Sequence, residues 1–392
     1  MNDAASDYAP ESVVLILQGS TPGDHPGIVD GYERLRASGI LSHLAVFPVF
    51  GQDGLERGDA FWRDVIAQAH DQDATIVVFQ YYHSGMLPDP RPAVARLRAL
   101  TSRPSVVATL GDAFMNGYFG RPKVPRSFLQ ASEVADLVTL TSMGALADYV
   151  AAHTNAPIML LPHGACQVRF GALDSDSQDA CVDADVAFVG SRNRSRNPAN
   201  GYFWVGRRRE RLIEQLAKRF GSRFALFGHG WNDLPSSRGP VPFQDQAKAV
   251  RCARVVFGGI PFSSCRYYTS DRPFIQATSG VPIVDIAVPG TDCILRSNEH
   301  WVLTREESVL KTIDEVLAWS DATRAKHGRI AAENVFAKHM QAHREAALVE
   351  NVRRQRTTLS NRTRLPPYFP FILDDVDLPC EHPLLTRHWT LG

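Results

Sequence analysis

Several groups of residues in this 392-residue chain have types and spacing suited to holding a polyanion or moving a proton. In Phe188-Val189-Gly190-Ser191-Arg192-Asn193-Arg194-Ser195-Arg196 an apolar run enters a Gly-Ser pair and then three alternating arginines. Backbone N–H groups and guanidinium forks match phosphate oxygens, so this stretch reads as an anion cradle; the competing reading is a solvated basic loop. In Ser270-Asp271-Arg272-Pro273, Ser270 or Asp271 suits a helix cap and Pro273 an early helical position. An arginine at such a start suits a diphosphate, and ordinary capping can hold at the same time. Phe227-Gly228-His229-Gly230-Trp231 offers glycines for close approach and a ring that could pack on a base. His83, in Gln80-Tyr81-Tyr82-His83-Ser84-Gly85, could act as a general base or simply as a structural hydrogen bonder. Asp112, after Leu110-Gly111, could bind acceptor hydroxyls or orient a base, or could cap a helix. Gly19, in Gln18-Gly19-Ser20-Thr21-Pro22-Gly23, stands either in a ligand-lining loop or in a plain flexible turn. Leu161-Pro162-His163-Gly164 reads as a structural hinge.

These residues cluster where they do because of the elements around them. Short, continuous, Val/Ile/Leu-rich runs at 13–17, 44–49, 76–79, 106–110, 137–140 and 158–161 have the pattern of strands buried on both faces of a parallel sheet. Helical spacing at 61–69, 128–134 and 145–152 alternates with them, which implies a doubly wound α/β sheet. A Ser- and Asp-rich stretch over 170–183 interrupts the rhythm. It then restarts, with strands expected at 186–189, 224–227, 255–257, 283–286 and 302–303, and helices at 207–220, 244–252, 272–278, 306–319 and 322–349. The expected organisation is a first domain over 1–168, a linker over 169–184, a second domain over 185–320, and a long helix with a tail over 321–392. From Arg353 on, recurrent prolines predict irregular chain, and its aromatics, such as Tyr368 and Trp389, predict packing onto the body. Ligands of open α/β sheets bind beyond the carboxyl ends of the strands, so two such domains place the site in the cleft between them.

Composition narrows the function. Apolar residues make up 44% and charged residues 21%, ordinary for a globular protein. Basic and acidic residues balance at 42 each, so no whole-molecule field draws nucleic acid or anionic lipid. No apolar run reaches the ~18 residues of a membrane span, and the acidic N-terminus lacks the apolar core of a signal peptide, which makes the cytoplasm the default compartment. The six cysteines are scattered, and free or buried thiols are expected rather than a disulfide framework or a zinc site. GxGxxG is absent, which counts against a dehydrogenase. Arg353, Arg354, Arg356, Arg362 and Arg364 lie close in sequence; a solvated basic face is the favoured reading, with a nucleic-acid acceptor as its rival.

In order and spacing, Phe188-Val189-Gly190-Ser191, the Arg-rich helix, Phe227-Gly228, Gly239-Pro240-Val241, Ser270-Asp271-Arg272-Pro273-Phe274 and Gly280-Val281-Pro282 resemble the CgeB-like branch of the GT-B glycosyltransferases. Leu161-Pro162-His163-Gly164 resembles the LPNG turn of related family 4 enzymes. The likeness spans about 155–320. It implies two Rossmann-like domains facing across a cleft, a C-terminal helix crossing back to the first domain, and a nucleotide-sugar donor, with a UDP-sugar favoured. It also implies retention at the anomeric carbon, and no metal or other cofactor. On this reading Gly19, Gly190, Ser191, Arg192, Gly228, His229, Val241, Ser270, Asp271 and Arg272 bind the donor, and His83, Asp112 and Arg272 are the catalytic candidates. Arg192 and Arg272 would steady the leaving diphosphate. The acceptor, whether glycan, small molecule, protein or nucleic acid, is left open. One position departs from the family: the acidic residue of its R-x-F-E motif, which holds the donor ribose, is Ile275 here. A GT-B protein without transfer activity and a sugar-nucleotide epimerase are the alternatives.

Overall fold

The computed structural model describes residues 9–50, 58–80, 89–111, 124–171, 182–192, 197–199, 201–259, 265–295 and 301–360. His83, Asp112, Arg194, Arg196, Arg362, Arg364 and the tail aromatics lie outside them.

The first domain runs β1 (Glu11–Leu17), α1 (Pro26–Ala37), β2 (Leu41–Pro48), α2 (Asp59–Asp71), β3 (Ile76–Gln80), α3 (Arg91–Arg98), β4 (Ser105–Leu110), α4 (Arg126–Glu133) and β5 (Leu137–Leu140). It continues through β6 (Met143–Gly144), α5 (Ala145–Ala151), β7 (Ile158–Leu160) and α6 (Gln167–Phe170). Among the described residues these form a six-stranded parallel sheet in the order β2-β1-β3-β4-β5-β7. Every residue of β1, β3 and β5 is buried, which is why these strands are dominated by apolar residues rather than alternating with polar ones.

The second domain runs β8 (Ala184–Val189), α7 (Gly201–Phe220), β9 (Phe224–Phe227), β10 (Ser237–Gly239), α8 (Gln246–Ala249), β11 (Ala253–Phe257), β12 (Cys265–Arg266), α9 (Asp271–Ala277) and β13 (Ile283–Ile286). Then come α10 (Thr291–Ile294), β14 (Val302–Thr304), α11 (Val309–Leu317), α12 (Asp321–Lys338) and α13 (Gln341–Ser360). Its parallel sheet has the order β10-β9-β8-β11-β13-β14, the 3-2-1-4-5-6 winding of a dinucleotide-binding fold. Both halves are therefore Rossmann-like. The small antiparallel pair β6–β12 stitches one domain to the other. No described helix is long and apolar enough to cross a membrane.

Three expectations change. The helix expected over 244–252 is one α-turn, α8, flanked by 3₁₀ turns at Phe243–Asp245 and Val250–Cys252. The single helix expected over 322–349 is two, broken at His339-Met340. There the backbone leaves the helix to bond the interdomain turn: Ala165 N–H donates to the His339 carbonyl at 2.9 Å, and Gln341 N–H to the Ala165 carbonyl at 2.8 Å. Helix α12 packs against α9 of the second domain and α13 against α1 of the first. The chain is also helical well past Arg353, to Ser360.

For Arg353 and Arg356 that extension overturns the solvated basic face. The Arg353 side chain is 4% exposed and its Nε lies 3.3 Å from Glu11 Oε1; Arg356 Nη1 lies 2.7 Å from Glu11 Oε2. Arg356 also donates to Ser105 Oγ at 2.8 Å and to the Thr75 carbonyl. Glu11 stands at the start of β1, so these arginines fasten α13 to the foot of the first sheet. Arg354 pairs with Glu350 one turn earlier.

Candidate functional site

Strand order locates the site first. In the second sheet the order reverses between β8 and β11, and crevices form beyond the carboxyl ends at such a point. Gly190 follows β8 and Gly258-Gly259 follow β11. Arg272, on α9, extends its guanidinium into that gap, 5.7 Å above the Phe188 ring. A methyl group on Gly190 would lie 3.4 Å from the Arg272 guanidinium carbon, and one on Gly259 would lie 3.0 Å from Nη1. Among the described residues the Arg272 guanidinium has no hydrogen bond and no ion pair. Below it, Asp285 on β13 is fully buried, and that burial pushes its carboxyl up to about 7, against the Ile286 N–H and the charge of Arg272.

Gly228 joins this group. Its φ is +137°, and a methyl group there would meet the Gly190 carbonyl oxygen at 2.4 Å, so only glycine lets the β8 and β9 loops touch. The Ser191 carbonyl accepts Arg209 Nη1 at 3.2 Å. Val241 is partly buried against the core after β10. His229 is exposed on the rim, its carbonyl accepting the Arg192 N–H at 2.9 Å.

Arg192 itself is spoken for. Its side chain is 5% exposed, with the guanidinium held by Glu210, by Asp233 at 2.6 Å and by Glu214 at 3.3 Å. Three carboxylates leave it no fork to offer a diphosphate, so the cradle expected from three alternating arginines is not what Arg192 builds. Trp231 is likewise turned inward. It is fully buried, its indole N–H donates to the Gly190 carbonyl at 2.7 Å, and Arg192 covers its ring at 5.0 Å. The ring that could have packed on a base instead pins the β8 loop.

Between the domains lies a cavity of about 450 Å³. The first domain contributes Gly19, His25 and His163; the second contributes Phe243, Asp271 and Ile275. Gly19 and Asp271, placed in separate loops by sequence, thus face one space. Asp24 folds the Gly19 loop over itself, accepting the Ser20 N–H at 2.5 Å and the Thr21 N–H at 3.2 Å. Burial holds the His25 imidazole below its ordinary value, against an opposing hydrogen bond to the Gln18 backbone and the charge of Asp24. Arg169 bridges the mouth, its guanidinium 5.3 Å from the Phe243 ring centre. His25, Arg169 and Phe243 escaped the sequence reading. His25 could have been found by following the Gly19 loop two residues past its second glycine; Phe243 carries no local signal.

The packing beneath α9 fixes how its cavity residues stand. Phe274 stacks on His339 at 4.9 Å and meets Trp301 edge-on at 6.2 Å. Arg344, 3% exposed, lies over the same ring and donates to the carbonyls of Pro162 at 2.9 Å and His163 at 3.0 Å. The interdomain turn, the α12–α13 break and α9 therefore form one packed unit. Gly164 is required in it, since a methyl group there would sit 2.9 Å from the backbone of His339 and Gln341. The loop before α9 carries Tyr267 at φ +58°, a sparsely populated conformation for a bulky residue. Its ring packs onto Gly290, where a methyl group would come within 2.5 Å.

Residues 207–350, from α7 through the first half of α13, match the family model described as glycosyl transferase-like. Solved structures agree on the fold across both halves. Sucrose-phosphate synthase from Thermosynechococcus elongatus superposes with a TM-score of 0.57 at 14% identity, covering 89% of this chain and all of that one. Anabaena HepE, solved with UDP and glucose, gives 0.50 at 13% identity, covering 88% and 99%. The architecture is GT-B, as the resemblance in the loops implied. Among curated proteins, the rice bifunctional nitrilase/nitrile hydratase NIT4 is 32% identical over 122 residues, which is 30% of this chain; the chain spans about a third of that relative's length. Within the glycosyl transferase-like segment fall Gly228, His229, Val241, Ser270, Asp271, Arg272 and Ile275; Gly190, Ser191 and Arg192 precede it.

Proposed function

We propose that this protein is a glycosyltransferase that takes a sugar from a nucleotide-sugar, a UDP-sugar first, and passes it to an acceptor held in the interdomain cleft. The observation that carries this reading is Arg272: a half-buried guanidinium at the switch point of the second sheet, flanked by Gly190 and Gly259, with no carboxylate claiming it among the described residues. A leaving diphosphate gains negative charge as its bond to the sugar breaks, and a fixed cation there lowers the barrier. The glycosyl transferase-like segment and a GT-B neighbour solved with UDP support the donor class. On this reading Arg272 takes the part a divalent cation would otherwise play, transfer proceeds with retention, and EDTA leaves the rate unchanged. The glycines at 19, 190 and 228 let the donor approach the backbone, and the first-domain wall with His25 receives the acceptor.

The test is calorimetric titration of the full chain with UDP, GDP, dTDP, ADP and CMP, repeated on Arg272→Ala. A charge-assisted hydrogen bond contributes about 1.5–3 kcal/mol, so the variant should bind the preferred diphosphate about 10- to 100-fold more weakly. Unchanged affinity in a folded variant removes Arg272 from the site. A second reading, a GT-B protein that binds donor without transferring it, is favoured by Ile275, an apolar residue in the cavity wall. Binding of UDP-glucose with no release of UDP over a broad acceptor panel would select it.

A further inference from the structure

Behind Arg272 the fold places one carboxyl that it does not pair. Asp285 belongs to β13, an interior strand of the second sheet, between Val284 and Ile286 of the buried apolar core. Its Oδ1 accepts the Ile286 N–H at 2.9 Å. Among the described residues Oδ2 makes no hydrogen bond and the carboxyl makes no ion pair. The end of β11 fits against acid and guanidinium at once: a methyl group on Gly258 would lie 2.7 Å from the Asp285 carboxyl carbon, and one on Gly259 3.0 Å from Arg272 Nη1. Arg192 is neutralised by three carboxylates in contact; Arg272 touches none and has one within reach of its charge. The other elements around Asp285 bring no competing charge. Asp271, the second charged residue of α9, lines the interdomain cavity instead and makes no ion pair or hydrogen bond among the described residues. Strand β14 has no titratable side chain, and on β11 Arg254 turns to Asp185 at 3.9 Å. Helix α11 packs on the opposite face of β13, with Lys311, Asp314 and Glu315 exposed to solvent.

From this arrangement we infer that Asp285 and the donor's diphosphate share the charge of Arg272, and that donor binding draws a proton from solvent onto the Asp285 carboxyl. Two negative groups beside one guanidinium repel each other, and the carboxyl can shed its charge by taking up a proton. Burial already brings that carboxyl to about 7 in the free protein, against the opposing pull of the Ile286 N–H and of Arg272, so the exchange falls near neutral pH. Below that pH Asp285 is neutral and Arg272 faces the diphosphate alone. Above it the carboxylate competes for Arg272, and donor affinity falls. Asp285 is thus a positioning residue, acting through Arg272 and not on the sugar. The inference rests on the nucleotide-sugar reading and adds to it the group that sets its pH dependence.

Calorimetry of the full chain with UDP-glucose from pH 6 to pH 9, in buffers of different ionisation enthalpy, reads both the affinity and the protons taken up. UDP-glucose suits the test because both its phosphates are esterified and stay ionised, whereas the terminal phosphate of UDP titrates at ~6. By reciprocity, a donor that raises the proton affinity of Asp285 tenfold binds about 10-fold more weakly once that proton is gone. Wild type should therefore lose about 10-fold in affinity between pH 6 and pH 9, and take up about half a proton per donor at pH 7.5. Asp285→Asn, neutral at every pH, should keep an affinity near the wild-type value at pH 6 throughout, with little uptake; circular dichroism checks its fold. Uridine carries no phosphate, so its binding to wild type should take up little or no proton, a contrast that needs no variant. Equal uptake by wild type and a folded Asp285→Asn, or with uridine and UDP-glucose, overturns the inference and leaves the donor reading standing. A wild-type affinity that is flat across this range does the same. Failure of the wild type to bind UDP-glucose at any pH overturns both.

Discussion

Replacing Glu11 by Gln should destabilise the protein by about 3 kcal/mol, although Glu11 stands at the far end of β1 from the cavity. The glutamate side chain is 7% exposed and the Arg353 side chain 4% exposed, so neither charge is screened by water. Oε1 accepts Arg353 Nε; Oε2 accepts Arg356 Nη1 at 2.7 Å and Thr75 Oγ1 at 2.5 Å. Removing one partner of a buried pair costs about 3–5 kcal/mol, because the remaining charge stays buried. The lower end applies here. Arg353 keeps the Ile40 carbonyl at 3.0 Å and the Ala9 carbonyl at 3.4 Å, and Arg356 is one-third exposed. For domains of 150–250 residues each kcal/mol moves the melting point about 2–4 °C, so a drop of roughly 6–12 °C is expected. Differential scanning calorimetry reads it, with limited proteolysis of α13 as a second probe of the same contact. A fall of less than ~2 °C would put the pair in the range of exposed ion pairs and refute the clamp, returning these arginines to a solvated face.

Glu345 supplies a pH prediction. It is fully buried beside Tyr32, and burial pushes its carboxyl from 4.5 up to about 8. A carboxyl whose folded value is raised binds its proton more tightly folded than unfolded. Its contribution to stability is therefore greatest below about pH 4.5, declines between 4.5 and 8, and is spent above that. At 1.36 kcal/mol for each tenfold change in proton affinity, the decline totals roughly 5 kcal/mol. Glu345→Gln should flatten that slope in chemical denaturation across pH 4 to 9; a slope equal to wild type rejects the assignment. Gly328→Ala should fail more severely. Its added methyl would fall 1.8 Å from the Gly280 carbonyl oxygen. The oxygen belongs to main chain and cannot swing aside, so α12 would have to lift off the second domain, costing at least the ~1–3 kcal/mol of an overpacked core. A melting point within 2 °C of wild type would show that α12 does not approach so closely.

The sheet strands were legible because their burial is symmetrical. A strand covered by helices on both sides is apolar at most positions, and 137–140, 224–227 and 283–286 emerge in the structure with those bounds. Gly19, Gly190 and Gly228 were legible for a related reason: each follows a strand's carboxyl end, where an open α/β sheet binds its ligands. The fates of the arginines were not legible. Arg192 and Arg272 look alike in sequence, yet one faces Glu210, Asp233 and Glu214 and the other faces two glycines and the ring of Phe188. Arg353 and Arg356 met Glu11 across more than 340 residues of chain.

By itself the sequence determined that this chain folds as two parallel α/β halves with glycine-bearing loops at the strand ends. Local apolar runs and local glycines decide those features, and neither depends on a distant partner. Which guanidinium stays available, which carboxylate is left over in the cavity, and where the last long helix breaks were decided only by the tertiary structure. The physical reason is that charge compensation and close packing are properties of neighbours in space. Asp24 is satisfied within its own loop and Asp271 is not, and no spacing along the chain distinguishes them.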